Sequence, residues 1–184
     1  MRSPQTVIER GQALLGEVCR AMCREPDKLR VQFHDDDTTI RVQLTAHPSD
    51  ARILVGTNGA HIKQLASLAR SLFWGSNRVV QILEVESHDE PDLPSYYFRP
   101  SIEWSDGRMR SLLTRLAEAA FPDATCEIES APHSSWSQNM TITLIPEPGN
   151  WQSLRCFAAA LSVLFVPIGK RDGRIVYVTV KALR

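Results

Sequence analysis

The peptide Leu54-Val55-Gly56-Thr57-Asn58-Gly59-Ala60-His61-Ile62 joins two apolar segments across a pair of glycines. Upstream, Arg52, Ile53, Leu54 and Val55 continue a short helix that starts after His47-Pro48-Ser49-Asp50, with Ser49 or Asp50 offered as its cap. Downstream, Ile62, Leu65, Ala66, Ala69, Leu72 and Phe73 recur three and four apart, the period of a second helix. A joint this tight needs glycine for unusual backbone angles and for close approach of another backbone. The second helix then presents N–H groups at its start, near Gly59 and Ala60, and these donors with the helix dipole favour an anion. Arg52, His61 and Lys63 lie within one or two turns and could add charge. A Gly-x-x-Gly match alone is weak, since nine glycines in 184 residues give about 0.4 by chance. Its position between two helices is what gives it weight.

Working outward, the N-terminal side reads as a helix and a hairpin. Val7, Ile8, Leu14, Leu15, Val18 and Met22 predict a helix over Thr6 to Arg24, bracketed by Pro4 and Pro26, with Gly11 a weak spot. Leu29, Val31 and Phe33 alternate with Arg30 and Gln32, the pattern of a half-buried strand. Asp35-Asp36-Asp37 makes a polar turn, and Thr38 to Leu44 resumes the alternation. On the other side, Gly75-Ser76-Asn77 ends the second helix and Arg78 to Glu86 predicts a largely buried strand. The order over residues 1–86 is α-β-β-α-α-β.

Ser87 to Pro100 changes character. His88-Asp89-Glu90-Pro91-Asp92-Leu93-Pro94 is acidic and proline-interrupted and reads as a linker over 87–100. The Tyr96-Tyr97-Phe98 run that follows reads as docking on a domain surface rather than stacking on a base. Residues 101–184 repeat the plan loosely. Arg108 to Phe121 is a helix by period, Cys126 and Ile128 mark a weak strand, and Thr141 to Ile145 follows a polar turn at Ser134-Ser135. Trp151 to Val166 is a strongly apolar helix and Arg174 to Val180 an alternating strand. From Ile40 to Leu72 is 32 residues and from Ile142 to Leu164 is 22, so a related second half lacks ten, about the short helix plus the glycine turn. Many unrelated α+β units share such an order, so duplication and coincidence both stand here.

The first half resembles a type II KH domain, in particular the small single-KH RNA-binding proteins of bacteria. The resemblance spans about residues 5–86 and rests on Leu54 to Ile62 within its α-β-β-α-α-β setting. It implies an α+β protein with no catalytic residues. In such a protein Gly56, Thr57, Asn58 and Gly59 hold the sugar-phosphate backbone of single-stranded RNA, since KH domains clamp about four nucleotides with this loop. It further implies an apolar groove for the bases, edged by Val55, Ile62 and the last strand, with Arg78 at its mouth. One departure matters: the family usually carries a basic residue inside the loop, where this chain has Thr57 and Asn58. The expected consequence is weak binding with a shallow salt dependence, because few counterions are released. The second half has no GXXG, so on the duplication reading it is a degenerate KH-like unit. Set against all this, Gly56 and Gly59 also fit a tight turn with no ligand, Arg52 and Lys63 a solvated helix face, and His61 simple exposure.

Composition bounds the alternatives. Lys+Arg and Asp+Glu are both 21, a net charge of zero, so coating a polyanion or a membrane by bulk charge is disfavoured and any contact must be local. From Asn150 onward there are six basic residues against one acid, a local surplus. The apolar run Phe157 to Ile168, with Ser162 and Pro167 inside it, reads as too short for a bilayer. The first residues show no secretion signal, and Cys19, Cys23, Cys126 and Cys156 have no disulfide-framework spacing; both suit a cytoplasmic protein. Asp35-Asp36-Asp37 has no partner carboxylate at a metal-site spacing, and Gly169-Lys170-Arg171-Asp172-Gly173-Arg174 lacks the Walker spacing and precedes a strand. That second stretch reads as a basic turn, or else as a second RNA contact. With no hydrolase or zinc motif either, no cofactor, metal or enzymatic activity is expected. The competing expectation is a KH fold used for protein interaction, within a ribonucleoprotein or as a homodimer. The uncharged loop, the Tyr96-Tyr97-Phe98 run and the apolar Trp151 to Val166 helix favour it.

Overall fold

The computed structural model describes residues 4–87, 106–134, 137–145, 151–171 and 175–182. Tyr96-Tyr97-Phe98, the linker beyond Ser87, the centre of the Ser134-Ser135 turn and the Asp172-Gly173-Arg174 end of the basic turn lie outside the described residues.

Helix α1 (Pro4–Met22) buries Ile8, Leu14, Leu15, Val18 and Met22 along one stripe. Gly11, which costs helix propensity, has a packing reason: a Cβ there would come within 2.9 Å of the Phe73 ring. Strands β1 (Arg30–Asp35) and β2 (Thr39–Ala46) pair antiparallel with Phe33 opposite Val42. The turn between them is held by Asp36, whose Oδ1 accepts the Thr38 and Thr39 N–H groups at 3.1 and 2.8 Å. Those two amides, ahead of nearby Arg41, hold the Asp36 carboxyl below its ordinary range.

Helix α2 (Pro48–Val55) is capped otherwise than the sequence suggests. His47 is the N-cap, its Nδ1 accepting the Ser49 N–H at 3.3 Å, with Pro48 at the first helical position. Asp50 is fully buried and faces away from that role. Its Oδ1 accepts the Arg24 N–H at 2.8 Å and its Oδ2 the Glu25 N–H at 2.9 Å, tying α2 to the chain leaving α1. A buried carboxylate is tolerated here because both oxygens receive donors. Helix α3 (Ala60–Leu72) buries Leu65, Leu68, Ala69 and Leu72 and leads to β3 (Val79–Ser87). β3 lies parallel to β2, Ile40 opposite Val80, with a register shift between Val42 and Leu44. The sheet order β1-β2-β3 makes β3 an edge strand. Successive side chains alternate between the sheet's faces, so Val80 is buried while Val79 is 60% exposed, and β3 is half-buried rather than largely buried.

The second half runs α4 (Asp106–Ala120), β4 (Thr125–Ser134), β5 (Ser137–Ile145), α5 (Trp151–Arg171) and β6 (Ile175–Ala182). β4 and β5 pair antiparallel, β5 and β6 parallel, in the order β4-β5-β6. This is the antiparallel-then-parallel pairing scheme of the first sheet, and no counterpart of α2 lies among the described residues between β5 and α5. Helix α5 outruns its expected end at Val166, passing through Pro167 to Arg171. Proline removes one helical hydrogen bond, and Ile168 beyond it is fully buried, which holds the last turn in place. The basic stretch from Gly169 therefore begins as helix, not turn. By length and composition Trp151–Lys170 is long and apolar enough to cross a membrane, contrary to the expectation from Phe157–Ile168. Its apolar face, including Leu154, Phe157, Leu161, Leu164 and Phe165, lies in the protein core.

The halves meet through their helices. α3 packs on α5, α1 on α4 and α5, and the buried side chains of both halves form one continuous core. At its surface Arg10 pairs with Glu118 at 3.1 Å and Arg115 with Glu17 at 2.6 Å.

Candidate nucleic-acid interface

The turn between α2 and α3 is built from left-handed residues. Gly56 has φ 71° and donates its N–H to the Arg52 carbonyl at 2.9 Å. A Cβ on Gly56 would lie 2.6 Å from the His61 ring and 2.8 Å from the His61 nitrogen, so only glycine fits. Asn58 (φ 53°) and Gly59 (φ 73°) follow in the left-handed region, where asparagine and glycine are the residues that go readily.

The hydrogen bonds correct the expected donor set. Gly59 donates to the Gly56 carbonyl at 3.1 Å and Ala60 to the Thr57 carbonyl, closing a 3-10 turn, so the two amides expected to be open are used. The open ones are one step earlier. Thr57 and Asn58 are exposed, and their N–H groups have no acceptor among the described residues. Four consecutive loop residues thus divide into an inward-bonded frame and two outward donors.

Around this loop the predicted residues separate. His61 closes it from behind: Nδ1 lies 2.5 Å from the Ile53 carbonyl, so that nitrogen carries the proton and the ring ties α3 to α2. Lys63 is exposed and has no ion-pair partner among the described residues. Its Cε lies within 3.9 Å of the Cβ position on Gly59, bringing the flexible end of the side chain against the loop. Arg52 is exposed one turn before Gly56. Val55 and Ile62, flanking the turn, are half-buried and leave apolar surface beside it, while α2 packs along β3.

Arg78 is not brought to this groove. It precedes β3 at the far end of α3, which at 13 residues is about 20 Å long. There its guanidinium bonds the Asp36 carbonyl and lies 3.8 Å from the Asp35 carboxylate, bracing the β1–β2 turn. Sequence reasoning passed over what surrounds it. Trp74 is 68% exposed and stands one helical turn after the exposed Arg70, a spacing visible in the sequence as Arg-x-x-x-Trp-Gly.

No family model matches the chain. It is similar to RNA-binding protein KhpA of Halalkalibacterium halodurans, 28% identical over 71 residues, which is 39% of this chain and 93% of that protein. The match is distant, and the mixed α+β fold is consistent with a KH-like fold.

Proposed function

We propose that this chain is a non-catalytic, cytoplasmic binder of single-stranded RNA, with a type II KH domain over residues 1–86. A linker over 87–100 then leads to a degenerate KH-like unit over 101–184. The observation that carries the reading is the pair of open amides at the exposed Thr57 and Asn58, in a turn whose Gly56, Asn58 and Gly59 have positive φ. Two adjacent N–H donors on a rigid turn suit a phosphate oxygen. Lys63, and Arg52 on the other side, supply the charge that the loop's own side chains lack. The bases then lie against Val55 and Ile62, along the α2 side of β3. The distant likeness to an RNA-binding protein agrees with this.

Replacing Thr57 and Asn58 together by Asp tests the reading. The expected result is loss of binding to short single-stranded RNA at an unchanged melting temperature, because both side chains are exposed and the new charges face the phosphate. Unchanged affinity in a fluorescence titration excludes the loop. The protein-interaction alternative loses one support, since the apolar face of α5 is already covered within the chain.

A further inference from the structure

At the opposite end of α3 from the glycine loop, an open pocket of about 460 Å³ is lined by Arg70, Trp74, Asn77, Arg78 and Val79, among others. Its volume is that of a small-ligand site. Trp74 and Val79 are 68% and 60% exposed, the two most exposed large apolar side chains among the described residues. Arg70 is exposed with no ion-pair partner among the described residues, whereas Arg78 is held by the Asp35 carboxylate and the Asp36 carbonyl. The pocket therefore presents one uncommitted cation, a largely exposed indole and the amide of Asn77, exposed and in a left-handed turn.

We infer that this pocket takes a nucleotide from the same RNA strand, its base stacked on Trp74 and its phosphate drawn by Arg70. The inference rests on the RNA reading above. A base needs a flat apolar surface with polar atoms at its rim, and the phosphate beside it needs a cation not already neutralised. Both lie here within one helical turn. The route is continuous: β3 is an edge strand that starts at Val79 in this pocket and ends at Ser87, opposite Ala46 just before α2. A strand leaving the groove along that edge arrives at Trp74. A tetranucleotide fills the loop groove alone, so only a longer RNA reaches the pocket.

The test uses the full chain and fluorophore-labelled 4-mer and 12-mer RNA pools of randomised sequence. The wild type is expected to bind the 12-mer more tightly than the 4-mer. W74A should weaken the 12-mer about tenfold, leave the 4-mer unchanged, and be largely rescued by W74F. R70A should weaken the 12-mer and make its salt dependence shallower by about 0.7 in log–log slope. If the wild type binds both oligomers and W74A and R70A match it on the 12-mer, the pocket assignment is wrong and the loop reading stands. If the wild type binds neither, the loop reading falls and takes this one with it. Sedimentation of the same proteins reads the other occupant. A wild-type dimer lost in W74A, with 12-mer affinity unchanged, would assign the pocket to a second copy of this chain.

Discussion

Gly56 and Gly59 look equivalent in the sequence and are not equivalent in the fold. Both have φ near 70°. That costs a side chain about 1–2 kcal/mol at Gly59, in the left-handed helical region, and about 1–3 kcal/mol at Gly56, whose ψ of 171° at this φ only glycine readily adopts. At Gly59 the Cβ position is otherwise roomy, its nearest neighbour the Ile62 Cγ2 at 3.7 Å, so G59A is expected to cost about 1 kcal/mol. At Gly56 the same Cβ meets the His61 ring and main-chain nitrogen, and repacking adds a further ~1–3 kcal/mol. Denaturant midpoints of the two variants should rank G56A well below G59A, and a reversed order would mean that His61 does not close the turn. The glycines, and hence the turn, were legible from their place between two helical periods. Which amides stay open was not, because that depends on the 3-10 bonds from Gly59 and Ala60, and no periodicity reports those. Likewise His61 reads as one more basic residue near a loop until the Ile53 carbonyl is seen beside its Nδ1. Gly11 misleads in the opposite sense, a poor helix former retained where the Phe73 ring leaves no room for a Cβ.

Between elements, the decisive contacts are those that sequence spacing cannot express. Asp50 sits where a helix-start residue belongs, yet it serves two amides 25 and 26 residues earlier. D50A would leave the Arg24 and Glu25 amides of the segment leaving α1 without their acceptor and is expected to cost about 2–4 kcal/mol, with a shifted midpoint at unchanged denaturant slope. A cost below 1 kcal/mol would show that water replaces the carboxylate there. Buried Cys19 on the same helix gives a pH dependence of known sign. Burial pushes its thiol up from 9.0 to about 12. Below about pH 9 the thiol is neutral in both states and its contribution is fully present. Between about 9 and 12 the unfolded chain releases a proton that the folded chain keeps, so stability falls as pH rises. C19A removes this component: urea midpoints at pH 7.5, 9 and 10.5 should fall less steeply in C19A than in the wild type. Equal slopes would show that Cys19 is not shielded. The helix and strand periods themselves were readable almost throughout. They failed at β3, where Val79 lies on the sheet face opposite buried Val80, and at α5, where burial of Ile168 carries the helix past Pro167.

At the level of the whole molecule, one pairing scheme occurs twice, and the two copies are joined face to face through their helices. α1 meets α4 and α3 meets α5, each helix set against the one in the corresponding place of the other half. Sequence spacing does not express this contact, because a periodic apolar stripe says only that a face is buried and not what buries it. The ion pairs across the seam, the exposed Arg10–Glu118 and the part-buried but solvent-accessible Arg115–Glu17, contribute about 1 kcal/mol each. The association therefore rests on the shared apolar core. Two domains on a linker would unfold independently, whereas a common core couples them. The full chain is expected to melt in a single calorimetric transition with equal calorimetric and van't Hoff enthalpies. A fragment ending at Ser87 would leave the α1 and α3 faces bare and should self-associate or melt without cooperativity. Two resolved transitions in the intact chain, or a stable monomeric fragment, would mean that the halves merely touch. In that case the second half would be free to move relative to the glycine loop rather than fixing α3, the helix whose first turn carries Lys63 and whose last carries Arg70.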